Sequence, residues 1–290
     1  LRELIADGAA PPPRALHTAT LLGDVLYVMG GVGPHDRPLH DVHALDTLQW
    51  RWSQPPVSGR PPALLSRHSA TALNGALYVF GGCAPGRAAS ATADRRSAAS
   101  GKLKYSSQLH TLGPARDAVS GAPVLTSGSG CPPLVWHAVE VVGKPPAPRG
   151  DHSAAAAAGL LFVHGGQKLT PRRNGGPSAA RASNELWVFQ PETAAWSQVA
   201  RVPPLRREAA SLIAVSDTFL LAFGGWTGGG GGGGGLGSDS KLPWSRALHA
   251  LHLPTMRWFE LAAPGAAPGP RYGHAAAIVD GAATDPKRCT

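Results

Sequence analysis

Four times along the chain a short apolar run closes on a pair of glycines: residues 25–31 (VLYVMGG), 76–82 (ALYVFGG), 160–166 (LLFVHGG) and 218–225 (TFLLAFGG). Each run is rich in β-branched or aromatic residues and is flanked by turn formers, the pattern of a buried strand. The pairs recur with an underlying period of about fifty residues, stretched by insertions, and a period of that length belongs to propeller arrays. A single four-stranded blade buries both faces only against neighbouring blades, so the repeat demands a ring.

Three further columns stand in register with the glycine pair. A Pro-rich turn and a basic residue precede each small-residue strand: Arg14 with His17, Arg67 with His68, Arg149 with His152, Arg207 with Glu208, and Arg271 with His274. A third strand follows each glycine pair after a polar insertion, at residues 41–45, 108–112, 185–189 and 247–251. A fourth carries tryptophan, at Trp50 and Trp52, Trp136, Trp196 and Trp258. Together these columns resemble the kelch repeat over nearly the whole chain. The resemblance implies an all-β, kelch-type β-propeller of about four complete four-stranded blades plus an incomplete fifth, the alanine-rich strand at 154–158 lining a central channel and the tryptophans lying on outer strands. The expected blades span 14–56, 66–143, 149–202 and 207–263, with a fourth-strand fragment at 1–8 and a partial blade, opening with a first strand at 272–281, over 271–290.

No stretch of about 18 apolar residues offers a membrane span. No charged and apolar leader precedes the repeats. Cys83, Cys131 and Cys289 are widely spaced and form no Cys-x-x-Cys pattern, which points to a reducing, cytoplasmic setting and away from a disulfide framework or a cysteine zinc site. Nothing in the 290 residues marks a second domain.

The chemistry-bearing residues follow the repeat. His17, His68, His152 and His274 share one position, and His43, His110 and His249 another, so architecture explains them before metal binding does. Some kelch propellers are enzymes that hold copper through tyrosine and histidine or iron through Glu-x3-Asp-x3-His. The iron pattern is absent here, and of four tyrosines Tyr27 and Tyr78 lie inside second strands as core residues. The octaglycine at 228–235 lacks the Gly-Lys-Ser/Thr ending of a phosphate loop and reads as a linker. Ser106, His110 and Asp117 supply nucleophile-type residues without a nucleophile elbow. The expectation is therefore no catalytic residue, no metal and no cofactor.

The charge distribution points to a partner. The formal net charge is +9, and most of the 27 lysines and arginines fall between second and third strands or in the turns entering first strands. In an antiparallel blade those segments share one side of the disc, where propeller loops carry function. The candidate partner-binding residues are Arg37, Arg87, Arg95, Arg96, Lys102, Lys104, Lys168, Arg172, Arg173, Arg181 and Arg246. A face of one sign steers a partner of the other, so the expected ligand is an acidic protein and the chain a non-enzymatic scaffold or adaptor. Nucleic acid ranks below it because no aromatic except Tyr105 accompanies the arginines of the two inserts that carry Arg95, Arg96, Arg172 and Arg173. The alternative is the kelch part of a larger enzyme or ubiquitin-ligase adaptor.

Overall fold

The computed structural model describes residues 5–63, 65–84, 104–117, 131–170, 179–199, 206–227, 244–262 and 264–278. Apart from single 3-10 turns at Pro34–Asp36 and Leu253–Thr255, the regular elements among them are all strands. The first blade holds β1 (Thr18–Leu22), β2 (Val25–Met29), β3 (Val42–Asp46) and β4 (Arg51–Ser53). A short β5 (Val57–Gly59) leads to the second, with β6 (His68–Leu73), β7 (Ala76–Gly81), the loop pair β8 (Cys83–Ala84) and β9 (Lys104–Tyr105), then β10 (Leu109–Pro114) and β11 (Leu134–Ala138). The third follows β12 (Arg149–Gly150) with β13 (Ser153–Ala157) and β14 (Leu160–His164), the loop pair β15 (Gln167–Thr170) and β16 (Ala179–Ala182), then β17 (Leu186–Gln190) and β18 (Ala195–Gln198). The fourth is β19 (Ser211–Ala214), β20 (Phe219–Phe223), β21 (Leu248–His252) and β22 (Arg257–Leu261). Each blade is an antiparallel meander, and its four strands are called a to d below.

The core lies between blades. Successive side chains of a strand point to opposite faces, so every strand b must be apolar on both. In β7, Leu77 and Val79 pack on Tyr27 and Val42 of the first blade, while Phe80 packs towards Val163 and Trp196 of the third. In β14, Leu161 and Val163 face the second blade and Phe162 faces Leu212 and Leu220 of the fourth. A period-two strand serving two interfaces reads as a continuous apolar run, which is why the run is the loudest signal in the sequence.

Strands a are innermost and pack in series, β1 on β6, β6 on β13 and β13 on β19. Residues 154–157 form strand a of the third blade, and Ala158 opens the hairpin turn with φ 49°. Trp52, Trp136, Trp196 and Trp258 all lie on strands d, while Trp50 precedes β4. Asn74-Gly75 shows positive φ at both positions, the geometry that joins two right-twisted strands through a two-residue loop.

The glycine pair is an inter-blade joint. The N–H of the second glycine donates across to the residue that enters the next blade: Gly31 to the Leu65 carbonyl (2.6 Å), Gly82 to Arg149 (2.9 Å), Gly166 to Arg207 (2.8 Å) and Gly225 to Arg271 (2.8 Å). Both glycines of each pair have positive φ. At Gly166 (φ 84°) an added Cβ would lie 2.7 Å from the His152 Cβ and 2.8 Å from the Gly150 carbonyl oxygen. A second series runs beside the first, from the Arg67 N–H to Leu16 (3.0 Å), Asp151 to Arg67 (2.9 Å), Ala209 to Asp151 (2.7 Å) and Gly273 to Ala209 (2.7 Å). All five residues of that series are left-handed, including Leu16, Arg67, Asp151 and Ala209. Left-handed non-glycine backbone costs about 1–2 kcal/mol per residue, offset here by a backbone hydrogen bond at each joint.

Three features depart from the sequence expectation. The turns entering strands a are not merely turns: β5 pairs in parallel with β11, Asp7 with Arg51, and Val142 with Ala195, so the chain preceding a blade supplies an extra outermost pairing to that blade's strand d. The insertions after the glycine pairs begin and end in ladders, β8 with β9 and β15 with β16. The strand expected at 272–281 is not formed over its described part, 272–278. A lone segment with no following hairpin among the described residues has no ladder to join, and it docks instead through Arg271, Gly273 and the hydrogen bond between His274 Nε2 and Ser211 Oγ (3.0 Å). On the outward faces of the first and last blades, Leu21 and Phe259 are about half exposed among the described residues.

Gly166→Ala combines a left-handed alanine with backbone and side-chain overlap, and is expected to cost about 2–4 kcal/mol, whereas Gly159→Asn in an open hairpin turn stays within about 0.5 kcal/mol. Urea denaturation of the two variants measures the difference.

Candidate interaction face

Strand b ends and strand a begins on the same side of the disc, and the structure ties the two together: β12 pairs with β15, Ala15 with Val32, and Ser183 with Arg207. On this face a basic column residue reaches over the glycine pair. Arg14 Nη1 donates to the Gly30 carbonyl (3.1 Å), and its guanidinium makes a two-pronged ion pair with Asp41 (2.8 Å for both bonds). Arg149, fully buried, repeats this with the Gly165 carbonyl (2.9 Å) and Glu185 (2.5 Å). Lys168 also donates to Glu185.

The electrostatics follow from those bonds. The Arg14 hydrogen bond is the main reason the Asp41 carboxyl is held down at about 2, with His43 assisting. Burial alone would raise Glu185, but hydrogen bonds from Lys168 and Arg149 outweigh it and hold the group at about 2.

The second blade differs. The inter-blade carbonyl that Arg149 and Arg207 supply elsewhere comes there from Leu65, 2% exposed, so Leu65 and not Arg67 occupies the basic column. Its acidic counterpart has gone too, Gln108 standing immediately before strand c where Asp41 and Glu185 stand in their blades. Arg67 belongs instead to the left-handed series, where its guanidinium bonds the next member, Asp151, at 2.6 Å. The sequence pairing of Arg67 with the repeat column is off by two residues, because the column position holds the apolar Leu65 while the only basic group beside His68 is Arg67.

The histidine column fastens blades through side chains. His68 Nε2 bonds Thr18 Oγ1 (2.9 Å), His152 Nε2 bonds Ser69 Oγ (2.9 Å), and His274 repeats this with Ser211. Each ring belongs to one blade and each hydroxyl to the blade before it. Burial keeps His68 and His152 neutral by lowering each to about 3. These rings are structural, and among the described residues no group of three or more His, Cys, Asp or Glu is placed to hold a metal ion.

Of the candidate partner residues, Arg37, Lys104, Arg181 and Arg246 lie in the described segments and are exposed, and Lys168 is half-buried against Glu185. Arg87, Arg95, Arg96, Lys102, Arg172 and Arg173 lie outside the described residues. Arg37 follows the 3-10 turn after β2, Lys104 is in β9, Arg181 is in β16 and Arg246 precedes β21, so all four belong to loops between strands b and c. Tyr105 is not free to stack on a base: its hydroxyl donates to Gln167 Oε1 in the neighbouring blade's loop, and burial raises its phenol. On the other side of the disc, a groove of about 610 Å³ lies between the third and fourth blades, lined by Leu160, Val188, Gln190, Ser197, Val199, Thr255 and Met256.

Glu185→Gln leaves the buried Arg149 without a counter-charge and is expected to cost about 3 kcal/mol at pH 7. The native carboxyl, ordinarily near 4.5, is depressed on folding, so its contribution is complete above that value and lost as pH falls towards about 2. The gap between variant and wild type therefore closes over that window, as urea denaturation at stepped pH will show. The histidines have the same sign. His152, ordinarily near 6.5, is lowered on folding, so stability is complete above that value and declines as pH falls towards about 3. His152→Phe is expected to cost about 1–3 kcal/mol at pH 7 by orphaning Ser69 and to flatten the slope between pH 6.5 and 4 in the same measurement.

Comparison with known proteins agrees with this architecture. The model of the KLHDC2/KLHL20/DRC7 Kelch-repeats domain matches residues 1–122 and 125–284. The chain is 27% identical over 277 residues to acyl-CoA-binding domain-containing protein 5 of Arabidopsis thaliana, covering 94% of this chain and 35% of that protein. It is 28% identical over 226 residues to Kelch domain-containing protein 3 of Homo sapiens, covering 76% of this chain and 49% of the relative. The chain thus spans between a third and a half of the length of these relatives. The solved structure of YjhT superposes with a TM-score of 0.55 at 15% identity, over 89% of this chain and 68% of that one, a likeness of fold alone. With the glycine joints, the four meanders and the matched repeats all on one chain, this protein belongs to the KLHDC2/KLHL20/DRC7 Kelch-repeats domain family.

Proposed function

We propose that the chain is a non-enzymatic interaction module that binds an acidic protein through the loops between strands b and c together with the turns entering strands a. The observation that carries this reading is the division of its cations. Arg14 and Arg149, buried at the joints, are consumed by Asp41 and Glu185, whereas Arg37, Lys104, Arg181 and Arg246 stand exposed on loops of the same face. Lys144, Arg206 and Arg271, beside the entries to strands a, are exposed too. A solvated surface of one sign raises association rates with a ligand of the other and loses that advantage in salt. Single-stranded RNA is the weaker reading because Tyr105, beside Lys104, is held by Gln167, and Trp244, beside Arg246, lies against Tyr272 at 5.9 Å.

A second reading rests on length. The relatives are two to three times longer than the segment they share with this chain, which supports the same module serving as the recognition part of a larger enzyme or ubiquitin-ligase adaptor.

Reversal of Arg37, Lys104, Arg181 and Arg246 to glutamate is expected to weaken binding to an acidic peptide about tenfold at low salt and to flatten its salt dependence. Unfolding free energy should move by no more than about 0.5 kcal/mol per site. Titrations of an oligoglutamate peptide and of a uridine oligonucleotide at matched ionic strength separate protein from RNA. Binding of either that ignores the reversals would remove the face from the function.

A further inference from the structure

The seam between the third and fourth blades breaks the repeat at three places at once. The residue before the glycine pair is Met29, Phe80 and Phe223 in the other blades, and Phe80 and Phe223 each meet the next blade's column histidine edge to face, at 5.2 Å from His152 and 5.4 Å from His274. In the third blade it is His164, and the ring it should meet is replaced by Ala210, whose carbonyl takes the Ser153 hydroxyl instead (2.7 Å). Directly before strand c, where Asp41 and Glu185 answer the column arginines, the fourth blade has Ala247. The seam has lost the volume of an imidazole and a carboxylate, and an imidazole stands there in place of a phenyl ring.

What remains there is a buried cation with, among the described residues, no carboxylate hydrogen-bonded to it, Glu260 acting only through its charge. Arg207 is 2% exposed. Its hydrogen bonds go to His249 Nδ1 (2.7 Å) and, at 3.5 Å, to the Ala247 carbonyl; both acceptors are neutral, and among the described residues no carboxylate is bonded to it. Burial pushes Arg207 down to about 10, with Glu260 opposing, and burial together with Arg207 lowers His249 to about 4. His164, 1% exposed, has neither ring nitrogen hydrogen-bonded, lies against Trp258 at 5.4 Å, and feels the charge of Arg207. A buried guanidinium without an anion is costly, and the second blade shows the alternative this chain uses where no acid is present: Leu65 in place of arginine.

We propose that the seam binds a small carboxylate, of formate or acetate size, which takes the place of the acidic side chain missing at Ala247, accepts the Arg207 fork and receives a hydrogen bond from His164. Guanidinium favours planar carboxylates because two parallel N–H donors match two oxygens, and Arg14 shows that geometry in the same fold. The site is independent of the exposed basic loops.

The test is thermal unfolding of the purified chain at constant ionic strength while sodium formate replaces sodium gluconate, a carboxylate far bulkier than an acidic side chain. The wild type is expected to gain about 3 °C at saturation. Ala247→Glu supplies the carboxylate covalently, so it should unfold at a higher temperature in gluconate and gain nothing from formate. Arg207→Leu, copying Leu65, should also lose the response, and it stands as the control if the glutamate variant does not fold. Line broadening of 13C-formate by wild type but not by Arg207→Leu gives a direct reading. No formate response in the wild type, or an equal response in all three proteins, overturns the proposal and leaves the seam to water alone.

Discussion

A hydrogen bond from the second glycine of one blade to the entry residue of the next is the joint on which the rest of this structure depends. It requires positive φ at the glycine and close approach of two backbones, which only an absent side chain allows. Because it points between blades, it fixes the spacing at which strands a pack, and that spacing sets how Phe80 or Phe162 fills an interface. A blade does not own its core; it shares one with each neighbour. Stability in such an array is a sum over interfaces, so a defect at one joint acts on two blades.

The charged columns are layered on that backbone joint. In the first and third blades the guanidinium of the entering arginine also reaches the carbonyl of the first glycine of its own blade's pair, and an acid before strand c answers it. The second blade discards both members and the fourth discards only the acid. That asymmetry between repeats, visible only when the columns are registered by backbone bonds, separates a cation that merely stabilises from one that still lacks its anion.

The fold was legible because its strongest element, a strand buried on both faces and ended by glycine, is also the least ambiguous pattern in the sequence. Trp52, Trp136, Trp196 and Trp258 mark strands d for a related reason, each packing a large ring at a fixed place in the repeat. The register of Arg67 was not legible, since Leu65 carries no repeat signal and a basic residue two positions later imitates one. The parallel pairing of residues 57–59 with β11 was hidden as well, because Val57-Ser58-Gly59 is a strand only by virtue of its neighbour. Tyr105 could be noticed in the sequence, but its attachment to Gln167 of another blade's loop is a long-range fact with no local mark. For the proposed binding face, the sequence supplied the sign of the charge; the structure added which cations are spent at joints.

The outermost pairings of Asp7, Val57–Gly59 and Val142 have a bearing on synthesis. In each case the segment that borders a blade's strand d is translated before the blade itself. As strand d leaves the ribosome its exposed edge meets a partner already made, so the nascent chain carries its own edge cover and does not present that edge to other nascent chains. The inner joints run the opposite way: Gly31, Gly82, Gly166 and Gly225 each wait for a carbonyl that has yet to be made. Growth of this array is therefore covered at the outer edge of its first three blades and unfinished at its joints, and it advances in one direction only.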